Sequence, residues 1–124
     1  MYENMVKSID VSILPDVDIV VHHLRQKLPT VYIEKELIPY CDALNLVLKI
    51  GVKLDYTPMM LYLPARPKLT DSLVVQFQNI NKVIATRNQN KEWFHDLFAL
   101  FVALPSYLSL SWNEIEKTVI AMNQ

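Results

Sequence analysis

The sequence predicts an all-α protein, a bundle of four to five helices formed by residues 1–124 as one domain and completed by dimerisation. Three observations carry this expectation. The chain has one glycine and seven prolines. Sheet-rich folds spend glycine on turns and bulges, whereas helices are delimited by proline and polar caps. Apolar residues recur at helical spacing through most of the length. The composition is 52% hydrophobic with a mean hydropathy of +0.16. That is high for a body of this size, which has much surface and little interior. Some apolar surface is expected to meet a partner, most simply a second copy.

Residues 1–14 alternate weakly and show no clear period. Pro15-Asp16 then opens a helix, because proline suits a first turn and Asp16 and Asp18 suit its positive end. Val17, Val20, Val21, Leu24 and Leu28 form its apolar side, and Pro29 is expected to close it. The next helix covers about Ile33 to Leu54. Pro39 lies inside that span, so the helix either begins near Leu37 or kinks. Asp42, Asn45, Lys49 and Lys53 form one polar stripe on it. The stripe reads either as a solvent-facing edge or as one wall of a polar site.

Thr57-Pro58 caps a short helical turn, and "LPARPKL" (63–69) is a proline-rich loop. Thr70 is the expected N-cap of a helix over roughly 71–87, with Leu73, Phe77, Ile80 and Ile84 facing inward. "RNQNK" (87–91) is a turn. The helix from Glu92 is apolar around nearly its whole circumference, through Trp93, Phe94, Leu97, Phe98, Leu100, Phe101, Val102 and Leu104. Such a helix is central or lies at a dimer seam. Pro105 is expected to bend or end it. Ser111-Trp-Asn-Glu114 is a capping box, so a terminal helix starts at about Trp112. Trp93, Phe94, Phe98, Phe101 and Trp112 are the expected core or interface residues.

Several function classes are disfavoured. Net charge is −1, so no large field steers the chain toward nucleic acid. Lys82, Arg87 and Lys91 read as a solvated basic face. The one cysteine, Cys41, excludes an internal disulfide framework and reads as a buried, inert thiol. The longest uncharged run, Leu97 to Asn113, contains Pro105 and falls short of the ~20 residues of a membrane span. With no signal-like N-terminal pattern, the expected location is cytoplasmic. Asp18 with His22 and His23 supplies too few metal ligands, and Glu92, His95 and Asp96 read as first-turn charge. Glycine-rich phosphate loops and hydrolase or metalloprotease signatures are lacking.

Two stretches resemble one family. "PYCDALNLVLKIGVKLDYTP" (39–58) is similar to a metal-binding helix of the dimeric, all-α dUTP pyrophosphatases, which belong with the MazG-like nucleotide pyrophosphatases. "LFALFVALPSYLSLSWNEIEKTVIAMNQ" (97–124) resembles their closing part, where a Phe-rich helix leads to a second helix that contacts the nucleotide. The resemblance implies a MazG/dimeric-dUTPase-like bundle. In that family carboxylates from two helices hold magnesium ions, which bridge a triphosphate and activate water; hard divalent ions are the usual means of neutralising so many negative charges.

Most motif positions are altered here. Asp42 matches the family aspartate, Pro39 stands where a glutamate is expected, and Glu36 is the only substitute one turn earlier. Asn45 replaces a histidine, Val119 a tyrosine and Met122 a lysine, while Asn123 matches. Asp16 and Asp18 have the wrong spacing for the preceding carboxylate pair. The resemblance thus implies a degenerate, shortened and phage-like member. Asp42 and Glu36 are the metal candidates; Asn45, Lys49 and Asn123 are the candidates for contact with dUTP or another dNTP. No cofactor is expected of a degenerate member, and magnesium of an active one. The expected function is action through protein contacts, as a homodimer or paired with a related enzyme or its regulator. One alternative is an active magnesium-dependent pyrophosphatase with Glu34, Glu36, Asp42, Glu92 and Asp96 as a rearranged carboxylate set. The other is an unrelated small helical adaptor.

Overall fold

The computed structural model describes residues 2–62 and 66–124, and the first part of the 63–69 loop lies outside them. The protein is all-α. Among the described residues there are eight α-helical segments, several very short, two short 3-10 turns and no strand. The chain forms two compact units, Met1–Pro64 with Leu110–Gln124, and Ala65–Ser109.

The first unit contains α1 (Glu3–Lys7), α2 (Val17–Glu34), α3 (Leu37–Lys53), α4 (Thr57–Tyr62) and, from the end of the chain, α8 (Trp112–Met122). Its axis is α3, against which α1, α2, α4 and α8 all pack. Nearly every position of α3 from Tyr40 to Val52 is buried, while Asp42, Leu46 and Lys49 are half-buried. α2 applies Val20, Val21, Leu24, Leu28 and Val31, one helical stripe, to this core. α8 contributes Ile115 and Val119 one turn apart. α1 was not expected from the sequence. Five residues are too few to show a period, and Met5 and Val6 form it by burial in the tertiary structure.

Pro29 does not close α2, which continues to Glu34. The ring removes the bond to the Arg25 carbonyl, but both residues lie on the exposed face, where water can take that carbonyl. The helix ends instead at Lys35, left-handed at φ 56°, whose N–H donates to the Val31 carbonyl. α3 begins at Leu37 without a kink. Pro39 falls in its first turn, where backbone N–H groups have no intrahelical acceptor. Among the described residues, those with positive φ are Lys35, Asp55 and Ser109, at φ 56°, 62° and 56°, while the lone glycine, Gly51, lies on the buried side of α3.

The second unit contains α5 (Leu73–Ala85), α6 (Trp93–Val102) and α7 (Leu104–Leu108), each packed on the other two. Phe77, Ile80 and Ile84 are buried and Leu73 is half-buried. The N-cap of α5 is Ser72, not Thr70: its hydroxyl accepts from the Val75 N–H at 3.2 Å. The Thr70 hydroxyl is engaged elsewhere, with Gln76. α6 buries Phe94 and every residue from Leu97 to Val102, leaving His95 exposed. The Phe94 and Phe98 rings stack at 6.0 Å, and half-buried Trp93 meets Phe94 edge-on at 6.1 Å. α6 ends at Val102, one of the two outcomes expected at Pro105, and the proline sits in the first turn of α7. Ser111 is the N-cap of α8, yet its side chain accepts no capping bond.

Candidate functional site

The polar stripe on α3 divides between two places. Asn45 is only 8% exposed and faces the C-terminal end of α8. Its Nδ2 donates to Asn123 Oδ1 at 3.0 Å, and Asn123 Nδ2 returns a bond to Asn45 Oδ1 at 2.9 Å. The second hydrogen of Asn123 Nδ2 goes to Ser8 Oγ at 3.0 Å, and that hydroxyl donates to the Met5 carbonyl at 2.6 Å. α1, α3 and α8 are thereby joined through one polar network. Beside it lies a cleft of about 260 Å³, lined by Asp10, Ile13, Leu14, Lys49, Met122 and Asn123 among others. Thus the three nucleotide candidates are neighbours, and two of them bind each other.

Asp42 faces a different cleft, of about 340 Å³, at the corner between α2 and α3. Lys27, Thr30, Glu34, Glu36, Ile38 and Pro39 complete its walls. Lys27 Nζ stands 3.9 Å from Asp42 Oδ2, a long, half-exposed ion pair. Both metal candidates, Asp42 and Glu36, therefore border one space together with Glu34. Among the described residues, no three His, Cys, Asp or Glu side chains converge closely enough to hold a metal ion. Asp96, in the second unit, instead accepts from Asn90 Nδ2 at 3.0 Å, and Asn90 Oδ1 accepts from the Glu92 N–H.

Cys41 is buried, with its thiol 3.9 Å from the Ile115 carbonyl. Burial, and then the charge of Asp42, push its pKa up to about 12. A thiol held so far above neutrality is not a nucleophile. Trp112 is half-buried and meets Tyr2 edge-on at 5.6 Å. His22 and His23 are exposed with their rings 6.2 Å apart. Arg87 donates to the Ile84 carbonyl at 2.9 Å and so closes α5.

One polar centre was missed from the sequence. Gln76 is fully buried. Its Nε2 donates to the Lys68 and Leu100 carbonyls at 2.8 and 2.9 Å. Its Oε1 accepts from the Thr70 N–H and hydroxyl at 3.1 and 2.8 Å. Tyr107 Oη donates to the Thr70 carbonyl at 2.6 Å and accepts from the Thr70 N–H at 2.8 Å. This knot ties the 66–72 segment to α6 and α7, helped by the Lys68 N–H on the Ala99 carbonyl. The signal was present: Gln76 is three residues after Leu73 and four before Ile80, on the inward row of α5.

The structure shows an all-α protein with open clefts at the α2–α3 corner and beside Asn123 in its first unit, and a closed polar knot on Gln76 in its second. Comparison of the chain with protein-family models, with curated proteins and with solved structures finds no match. No single helix among the described residues is long and apolar enough to cross a membrane.

Proposed function

We propose that the chain is a catalytically degenerate relative of the dimeric, all-α dUTP pyrophosphatases, a MazG-like bundle that works through protein contacts. It does so as a homodimer or by pairing with a related enzyme or that enzyme's regulator. The observation that carries this reading is the reciprocal Asn45–Asn123 pair. The two amides that the resemblance assigns to a nucleotide spend their hydrogen bonds on each other and on Ser8. Such groups hold α8 in place rather than read a ligand. The packing of α3 against α8, the helices of the two resembling stretches, supports the same reading.

One observation favours a second reading. Glu34, Glu36 and Asp42 border a single cleft, as three of the five carboxylates of an active magnesium-dependent pyrophosphatase would. One assay separates the two. Purified protein is incubated with each dNTP and magnesium, and pyrophosphate and monophosphate are measured. The first reading expects no turnover and a stable dimer or hetero-complex by light scattering. Turnover that disappears on Asp42→Asn would replace it with the second.

A further inference from the structure

We infer that the cleft at the α2–α3 corner is a docking site for an amphipathic helix of another protein that carries arginine or lysine beside large apolar side chains. This rests on the proposal that the chain acts through protein contacts, and it names the surface and the chemistry of the partner.

Two features set this corner apart. The first is its apolar flank. Ile33, in the last turn of α2, is 72% exposed, and Ile38, in the first turn of α3, is 55% exposed. Ile38 lines a concave space of about 340 Å³, and Ile33 stands across the short connection, one residue before Glu34, which lines the same space. Exposed aliphatic side chains so placed are the form an interface core takes before it is covered. The second is charge. Glu34, Glu36 and Asp42 face this space, against the single ammonium of Lys27. Lys35, the other cation of the connection, is turned back on α2. Its Nζ donates to the Tyr32 carbonyl at 2.8 Å and lies 5.0 Å from the Tyr32 ring. The negative end of α2 and the positive end of α3 meet here and offset each other, so the side chains decide the sign.

The corner is therefore apolar at its flanks and negative within. The cleft beside Asn123 differs, because Asp10 and Lys49 there balance each other. Half-exposed Asp42 sits 3.9 Å from Lys27, at the limit of an ion pair, and its oxygens remain open to a better donor. A guanidinium is such a donor, since its fork matches a carboxylate with two parallel bonds. A helix presenting leucine-like residues one turn from arginines satisfies both features with one face.

The test uses the full chain and fluorescence anisotropy. The probe is a fluorescein-labelled helical peptide with leucine and arginine at helical spacing; the control has glutamate for arginine. Saturable binding of the arginine peptide is expected, with little binding of the control. Glu34→Lys with Glu36→Lys, and separately Ile33→Ser with Ile38→Ser, should each weaken binding at least about tenfold. Glu114→Lys on α8 should not. Circular dichroism of each variant verifies its helix content. The inference is overturned by equal binding of the glutamate peptide, by unchanged binding to the Glu34→Lys, Glu36→Lys variant, or by no saturable binding. If the isoleucine substitutions instead dissolve a dimer of the wild-type chain, the occupant is a second copy and not a basic partner. Turnover of dNTP, measured separately, would sink the functional reading while leaving a positive peptide result standing.

Discussion

Asn45 and Asn123, 78 residues apart in sequence, face each other through two amide hydrogen bonds of 3.0 and 2.9 Å. Each is both donor and acceptor, so neither can be replaced without stranding the other. Asn45 is the more buried, and Asn45→Ala should cost about 1–3 kcal/mol, the range for leaving a buried polar group unpaired. Asn45→Ala and Asn123→Ala together should cost clearly less than the sum of the two, because the second change removes a group already stranded. Urea unfolding of the three variants measures this coupling. Additive costs would mean that the pair is not formed in solution.

Gln76 should be the least replaceable polar residue of the second unit. Gln76→Leu keeps roughly the volume but leaves the Lys68 and Leu100 carbonyls without their donor. With a penalty of about 1–3 kcal/mol for each stranded group, the loss should reach about 3 kcal/mol or more. Tyr107→Phe, which removes only the phenol bonded to Thr70, should cost about 1 kcal/mol. Thermal unfolding of both variants tests the order. If Tyr107→Phe proves the costlier, the knot is not centred on Gln76.

The sequence made the helices legible where burial follows a long period, and the network hard to see where it depends on contacts across many residues. α3 and α8 begin close to the expected positions because Pro39 and Ser111 act locally, through first-turn geometry and N-cap backbone. Pro29 misled because its penalty depends on which face of α2 meets water, and that is a tertiary property. Thr70 misled for a similar reason: two good caps stood two residues apart, and the buried Gln76 claimed one of them. In the site, Asn45 was singled out as part of a stripe, yet its partner is set by how α8 returns to α3. The capping box illustrates the same limit. Ser111 makes no side-chain capping bond, so Ser111→Ala should change stability by less than about 0.5 kcal/mol, as for an ordinary surface site.

Phe98 tests whether α6 is the core of the second unit. It is fully buried and stacked on Phe94 at 6.0 Å. Phe98→Ala should cost about 3–5 kcal/mol through lost burial and the cavity left behind. Guanidinium unfolding followed by far-ultraviolet circular dichroism is the measurement. A loss under about 1 kcal/mol would make α6 peripheral to its unit, since only a site able to collapse around the missing ring tolerates the change.

Cys41 predicts how stability depends on alkaline pH. Its ordinary pKa of 9.0 is raised to about 12 in the folded chain, by burial first and then by the charge of Asp42. Between those values the unfolded chain has lost the thiol proton and the folded chain still holds it. The unfolded state then binds fewer protons, so unfolding becomes easier as pH rises. The stabilisation is whole below about 9 and is lost progressively toward about 12, with a slope of up to about 1.4 kcal/mol per pH unit from this group. Tyr40, fully buried, has its phenol pushed in the same direction, so it adds to the slope mainly above its ordinary value of 10.0. Tyr2 is pushed the same way by burial, and both phenols begin to contribute as pH nears 10, so the thiol's share between pH 9 and 10 is the difference between the wild-type chain and a variant without it. Urea unfolding at both pH values should show a clear fall in stability for the wild-type chain and a much smaller one for Cys41→Ala, whatever the baseline cost of that substitution. Equal slopes in the two proteins would mean that the thiol meets water in the native state, and that α8 does not cover α3 at Ile115.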